Sequence, residues 1–181
     1  MALSSPTPPA SQASSPKARP KLLAGESPGT YQLSEAVTEA QLLHLAKMLA
    51  RRRLRRGRCL GQPEEVYRCL QTLLLDYPYE VFGVLLLDQR HRVITFQELF
   101  RGTLDAASVF PREVVQHALQ HHAAAVIMVH NHPSGDPQPS DADQRITRRV
   151  KDALALMDIR TLDHVVVGHE GYVSFAEKGW I

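Results

Sequence analysis

The chain has 181 residues, a hydrophobic fraction of 44% and a formal net charge of +2 at pH 7. This length allows one domain with a full core and some additional chain, and so small a charge does not by itself indicate a nucleic-acid binder. Its two cysteines, Cys59 and Cys69, are not spaced as a zinc ribbon or a disulfide framework. Because it lacks an apolar run of about 18 residues and a secretory signal, we predict a soluble cytoplasmic protein without a membrane segment.

The N-terminal part of the chain changes character near residue 33. Residues 1–32 are rich in Ser, Pro and Ala, a composition that predicts a disordered tail. Residues 33–60 predict a helix that is capped by Ser34 and ended by Gly57, and that carries the basic cluster Arg51–Arg58. This cluster favours a solvated helix end, with a nucleic-acid contact as the alternative reading.

Strand patterns alternate with helix patterns over residues 61–181. The predicted strands are 81–88, 93–96, 124–130, 163–168 and 172–175, and the predicted helices begin at Pro63, Pro111 and Asp141. The first of these strands is continuously apolar, which is typical of a strand covered on both faces. Interleaving of this kind predicts an α/β domain in which helices pack on a mixed sheet.

One stretch of the chain predicts a metal site. His130 and His132 lie at the end of the strand 124–130, and side chains two residues apart on a strand point to the same side. A turn rich in Pro and Gly follows, and Asp143 in the first turn of the next helix can return to the same point. Two imidazoles and a carboxylate make a three-ligand site for zinc with a fourth position for water. Ser140 could cap the helix and face this pocket at once.

Each part of this stretch is common alone, as a strand end, a turn or a helix cap, but the combination is hard to reach by chance. The pattern His-x-His-Pro, followed by six residues and Ser-x-x-Asp, resembles the JAMM (MPN+/JAB) metalloprotease signature. The amino-acid sequence of His130–Gly135 resembles that of the bacterial RadC family, which carries a DNA-repair label. Other segments that look like this family are Glu80–Phe82, Gly102–Leu104, Pro111–Glu113 and Asp163–Gly168. The resemblance covers about Gly61–Ile181 and implies a cytidine-deaminase-like (JAB/MPN) mixed sheet sandwiched by helices.

The resemblance also implies a role for each site residue. It makes His130, His132 and Asp143 the ligands of Zn²⁺. It makes Glu80 the general base for the attacking water, and Ser140 the donor to the oxyanion of the tetrahedral intermediate. From the residues alone, Glu80 could equally be a surface charge before a strand. The leading prediction is therefore a zinc-dependent hydrolase of peptide or isopeptide bonds.

Other features keep an alternative function open. RadC proteins usually carry a helix-hairpin-helix-like region before this domain, whereas residues 33–60 offer one helix and a basic cluster, which predicts a shortened relative. The alternative is a DNA-repair-associated accessory protein with a structural or vestigial metal, which contacts DNA through Arg51–Arg58. A second metal at His117 and His121 is disfavoured because no acid or cysteine lies nearby. His164 could be a neighbour of a zinc ligand or a buried, hydrogen-bonded residue, and the second interpretation is favoured.

Overall fold

The structure is a computed structural model, which describes residues 22–102 and 109–181. Its elements in chain order are β1 (Leu22–Ala24), β2 (Tyr31–Leu33), α1 (Glu39–Arg53), α2 (Pro63–Leu74), β3 (Val81–Leu87), β4 (Val93–Arg101), α3 (Pro111–Gln120), β5 (Ala125–Asn131), α4 (Asp141–Ala155), β6 (Arg160–Gly168) and β7 (Gly171–Ser174). The described residues fall into two compact units that divide after Leu43. Over these ranges, no helix has the length and apolar character that a membrane span requires.

The first unit contains a hairpin where the sequence predicts disorder. Strands β1 and β2 pair in antiparallel register. The backbone N–H of Gly25 donates to the carbonyl of Thr30 at 2.9 Å, and the Thr30 hydroxyl donates to the carbonyl of Ser27 at 2.6 Å. This turn chemistry, with apolar residues on both arms, corrects the prediction for residues 22–32. The rest of the predicted tail, residues 1–21, lies outside the described residues, as do residues 103–108 of the segment predicted to be irregular.

Helix α1 begins later than the sequence predicts. The Thr38 hydroxyl accepts a hydrogen bond from the N–H of Gln41 at 3.3 Å, and the Gln41 side chain accepts one from the N–H of Thr38 at 2.8 Å. This reciprocal pair caps the helix, so the prediction of Ser34 as the N-cap is wrong. The helix ends at Arg53, and Gly57 adopts a φ of +81° in the following turn.

The second unit is built on a five-stranded mixed sheet with the strand order β4-β3-β5-β6-β7. Strands β5 and β6 are parallel, and every other neighbouring pair is antiparallel. The central strands β3 and β5 are buried at every position, because both faces of the sheet are covered. The mixed sheet is confirmed.

Helices cover the sheet on both sides. Leu70 and Leu74 of α2 share one apolar cluster with side chains of β3, β5 and β6. Val114 of α3 and Val150 of α4 share the other cluster with side chains of β3 and β5 that point the opposite way. Alternate residues of β3 and β5 therefore supply the two cores, which confirms a sheet sandwiched by helices.

The strand register determines which chain ends meet at the site. In the antiparallel pairing of β3 with β5, Phe82 lies opposite His130. Glu80 precedes β3 and His132 follows β5, so both lie at the same edge of the sheet. The backbone N–H of His132 also donates to the carbonyl of Val167 at 2.9 Å, which continues the parallel pairing of β5 with β6 to this edge.

Candidate metal centre

Three predicted ligands meet at one point. The Nε2 atom of His130 lies 3.0 Å from Nε2 of His132 and 3.2 Å from Oδ1 of Asp143. Nε2 of His132 lies 3.6 Å from Oδ2 of Asp143. His130 and Asp143 are buried, and His132 is half-buried. Across residues 22–102 and 109–181, this is the one group of His, Cys, Asp or Glu side chains with three ligand atoms close enough to share a metal ion.

The turn after β5 orients His132. The N–H of Gly135 donates to the carbonyl of His132 at 3.0 Å, and Gly135 adopts a φ of +96° that favours glycine. The turn brings the Asp136 carbonyl to 2.9 Å from Nδ1 of His132. A carbonyl can only accept, so Nδ1 of His132 is the donor. In the neutral ring, the lone pair of Nε2 then faces His130 and Asp143.

A chain of buried hydrogen bonds determines the tautomer of His130. The Thr147 hydroxyl donates to the carbonyl of Asp143 at 2.5 Å. Its one proton is thereby committed, so Nδ1 of His164, at 2.6 Å, must donate to the hydroxyl oxygen. Burial holds the pKa of His164 well below its usual value, so its ring is neutral and its Nε2 only accepts. Nδ1 of His130, 2.9 Å from that atom, is therefore the donor.

These hydrogen bonds leave a lone pair on Nε2 of His130, which faces the lone pair on Nε2 of His132 across 3.0 Å. Both lie beside the carboxylate of Asp143. Two lone pairs and a carboxylate would repel one another unless a cation or a proton lay among them. The same hydrogen bonds link His130 through His164 and Thr147 to the backbone of Asp143, so that two predicted ligands belong to one closed network. His164 is buried and hydrogen-bonded as predicted, and it also contacts a predicted ligand directly.

Charge at the centre favours a cation. Burial opposes ionisation of Asp143, but the adjacent imidazoles of His130 and His132 and the hydroxyl of Ser140 hold the pKa of its carboxyl well below the usual value. Asp143, to which a protonated Nε2 of His132 could donate, raises the pKa of His132 against the opposing effect of burial, and the negative charge of Glu80 raises it further. The site therefore combines an ionised carboxylate with surroundings that favour positive charge, which a divalent cation also requires.

Comparison with known proteins places this centre in a family. A family model described as "RadC-like JAB domain" matches residues 60–180. A UPF0758 protein of Vibrio cholerae serotype O1 is 55% identical over 151 residues, which cover 83% of this chain and 95% of the relative. The chain belongs to the RadC family. Two RadC relatives are longer than this chain. The UPF0758 protein of Thioalkalivibrio sulfidiphilus is 58% identical over 82% of this chain and 64% of the relative. The UPF0758 protein of Shewanella baltica is 54% identical over 88% of this chain and 68% of the relative.

Ser140 of this RadC-like domain is engaged at the start of α4. Its hydroxyl donates to Oδ2 of Asp143 at 2.6 Å, and its backbone N–H donates to the same oxygen at 2.7 Å. The N–H of Asp143 donates to the hydroxyl oxygen at 3.2 Å, which completes a capping box. The predicted cap is confirmed, and it also orients the carboxylate towards the two histidines.

Other histidines of the RadC domain remain outside the centre. The rings of His117 and His121 stack with centroids 6.3 Å apart, and Nδ1 of His121 hydrogen-bonds to the carbonyl of His117 at 2.9 Å. Over the described ranges, no acid or cysteine joins them in a group that could hold a metal. The sequence singled out His164, through the acid–histidine pair inside the apolar strand β6, but favoured the lesser role for it, and it gave no signal for Thr147. Asp163 faces Tyr67 of α2, at 2.6 Å from its hydroxyl, so the adjacent His164 faces the opposite side.

Thr147→Val should weaken zinc binding by about 10–100-fold, as the loss of a partner of a metal-binding histidine does, because Thr147 holds His164, the partner of His130. Without the hydroxyl, His164 can place its proton on Nε2, which drives the proton of His130 onto the nitrogen that must bind the metal. Competition with a chromophoric chelator measures the affinity. Thr147→Ser retains the hydroxyl and should bind zinc as wild type does. Equal affinity of the Val and Ser variants would contradict this account of the tautomer.

Proposed function

We propose that this RadC-type domain is a zinc-dependent hydrolase of peptide or isopeptide amide bonds. The observation that carries the proposal is the approach of Nε2 of His130 to Nε2 of His132, 3.0 Å apart, beside the Asp143 carboxylate. Two histidines and one carboxylate suit zinc, and three protein ligands are the usual number at catalytic zinc sites. His130, His132 and Asp143 are the residues that would hold the ion.

Zinc bound at such a site supplies an acidified water and polarises a carbonyl group. The proton of the attacking water needs an acceptor, and Glu80 is the nearby carboxylate outside the ligand group whose charge reaches His132. Its carboxylate would take this proton and deliver it to the leaving amine. Its half-buried position and its place beside the end of β5 support this role.

Ser140 supports the reaction in a second way. A hydroxyl has one proton, and Ser140 gives it to Oδ2 of Asp143. Were the proton to turn to a developing oxyanion, Oδ2 would retain the backbone N–H of Ser140, at 2.7 Å, as a donor. This change of hydrogen-bond partner therefore leaves the Asp143 carboxylate with a hydrogen bond. A hydroxyl that donates to the oxyanion stabilises the transition state by on the order of 3 kcal/mol.

The test combines metal analysis with a substrate panel. The purified chain is analysed for bound zinc and then incubated with fluorogenic peptides and isopeptide-linked substrates, with and without a chelator. We expect about one zinc per chain and cleavage that the chelator abolishes and added zinc restores. Zinc binding without cleavage of any amide would overturn the enzymatic proposal, and absence of zinc binding would overturn the site itself.

A second candidate function, nucleic-acid binding, rests on a separate cavity. Arg51, Arg55 and Arg56 line a cavity of about 320 Å³ together with the apolar side chains of Leu54 and Phe96. No acidic side chain of the described residues lines this cavity. Arginines without acidic side chains beside them in the cavity can pair with the phosphates of a nucleic-acid strand, which supports the DNA contact that was the alternative interpretation of Arg51–Arg58.

Replacing Arg51, Arg55 and Arg56 with Gln should weaken DNA binding and make it less sensitive to salt, because each phosphate contact contributes about 0.9 to the slope of log affinity against log salt. Fluorescence anisotropy of a labelled duplex at several salt concentrations measures both quantities. A matched control replaces three other exposed arginines, Arg68, Arg90 and Arg148, so that net charge is equal. If both triple variants lose affinity equally, the cavity is not the contact.

A further inference from the structure

Asn131 lies between the two histidine ligands in sequence, but its side chain serves a different segment. It is buried, with 1% of its surface exposed. Its Oδ1 accepts a hydrogen bond from the backbone N–H of Val81 at 2.7 Å, and its Nδ2 donates one to the carbonyl of Tyr79 at 3.1 Å. These two backbone groups flank Glu80. One amide side chain therefore brackets the residue proposed as the base.

The bracket lies where strand pairing stops. Phe82 is the first residue of β3 that pairs with β5, so the backbone ladder does not extend to Glu80 on that side. Asn131 replaces the missing ladder bonds. On the other side, the N–H of Gly102 donates to the carbonyl of Glu80 at 2.9 Å. The backbone around Glu80 is thus held from both neighbouring strands, although β3 begins one residue after it.

We propose that Asn131 is a positioning residue that holds Glu80 at the metal centre for proton transfer. The inference rests on the proposed hydrolase function. A general base must lie within about 2.6–3.2 Å of the proton that it takes, and a displacement of about 1 Å can lower the rate 100-fold. Asparagine suits this task because its side chain offers a donor and an acceptor together. Aspartate offers only acceptors, and leucine offers neither.

A purely structural role makes a different prediction. Loss of a buried amide that only stabilises the fold would lower stability without changing the rate of the folded enzyme. Gln71 provides the matched comparison, because its Nε2 donates to the carbonyls of Gly168 at 2.7 Å and Gly171 at 3.2 Å. It clamps the turn between β6 and β7 as Asn131 clamps the segment before β3, but it does not contact the residues beside Glu80.

The experiment compares Asn131→Leu, Asn131→Asp and Gln71→Leu in the full chain, loaded with zinc. Amide hydrogen exchange at Val81, followed by NMR, reports whether the Val81 N–H is hydrogen-bonded to Asn131. This measurement does not require activity. Steady-state cleavage of an amide substrate from the panel gives kcat and KM, and each substitution is combined with Glu80→Gln. Bound zinc is measured for every variant, so that loss of metal is recognised.

For Asn131→Leu we expect exchange at Val81 to accelerate about tenfold, and kcat to fall by about 100-fold with KM and zinc content unchanged. Adding Glu80→Gln should then lower the rate no further than Glu80→Gln alone. Asn131→Asp keeps the acceptor for Val81, so its exchange should stay slow while kcat falls. It also serves as the folded variant should the leucine disrupt the core.

Three results would overturn the inference. One is a kcat for both Asn131 variants equal to that of Gln71→Leu, which would leave the proposed hydrolase function intact. Another is an effect on rate fully additive with Glu80→Gln, since two residues that act through one carboxylate cannot be independent. A wild type that cleaves no amide would overturn the hydrolase proposal and this role with it.

Discussion

Glu80→Gln should lower the rate of amide cleavage by about 10²–10⁴-fold, the usual contribution of general acid–base catalysis, and should leave bound zinc unchanged. Glutamine has nearly the same size but cannot take a proton from water near neutral pH. The three ligating side chains belong to other residues, and their atoms lie within 4.8 Å of one another without it. The substitution therefore separates the base from the metal.

The measurement pairs zinc content with the cleavage rate of the same preparation. Glu64→Gln, an exposed residue in the first turn of α2, removes the same charge elsewhere and should retain the wild-type rate. A Glu80→Gln protein that holds zinc and cleaves at the wild-type rate would remove Glu80 from the mechanism. One that loses its zinc would instead indicate a structural contribution of Glu80 to the centre.

Asp143→Asn should abolish the thermal stabilisation of the protein by zinc. A ligand that binds only the folded state stabilises it by about 2.7 kcal/mol when its free concentration is 100 times its Kd. The substitution removes the one anionic member of the proposed ligand set, whose ionised state is supported by the adjacent imidazoles of His130 and His132 and by the hydroxyl of Ser140. We expect its effect on zinc affinity to exceed the roughly 10–100-fold loss that is typical of changes outside the ligands.

Thermal unfolding with excess zinc and with a chelator measures the effect. Wild type should unfold at a higher temperature with zinc than with chelator, whereas Asp143→Asn should unfold at one temperature in both. Asp141→Asn is the matched control, because Asp141 is exposed in the same helical turn and lies outside the ligand group. Equal stabilisation of the Asp143 and Asp141 variants by zinc would contradict the proposed ligand set.

Much of the metal centre is local, and local patterns predict it well. His130 and His132 share a side because strand side chains alternate, and Asp143 returns to them because a short turn and a capped helix follow directly. The capping box of Ser140 and Asp143 is likewise a contact over three residues. The apolar strands and amphipathic helices predicted the mixed sheet between helices for the same reason, since each pattern repeats within one element.

Local patterns failed at the ends of the elements near the N-terminus. Ser34 satisfies the general preference for a helix cap, but Thr38 has Gln41 at the spacing that completes a reciprocal bond. Residues 22–32 have the composition of a tail, yet a closed turn allows Leu22 to pair with Leu33. In both cases the outcome depends on hydrogen bonds to particular partners, which composition does not specify.

By itself, the sequence determined which three potential ligands converge, the cap and the fold class, because these depend on residues that are near one another in the chain. Only the tertiary structure decided how the centre is completed. The pairing of β3 with β5 brings Asn131 to Val81 across 50 residues of chain, and β6 brings His164 to His130 across 34. Such contacts follow from strand order and register, which no short pattern specifies. Strand order and register therefore set the place of Glu80 and the tautomer of His130.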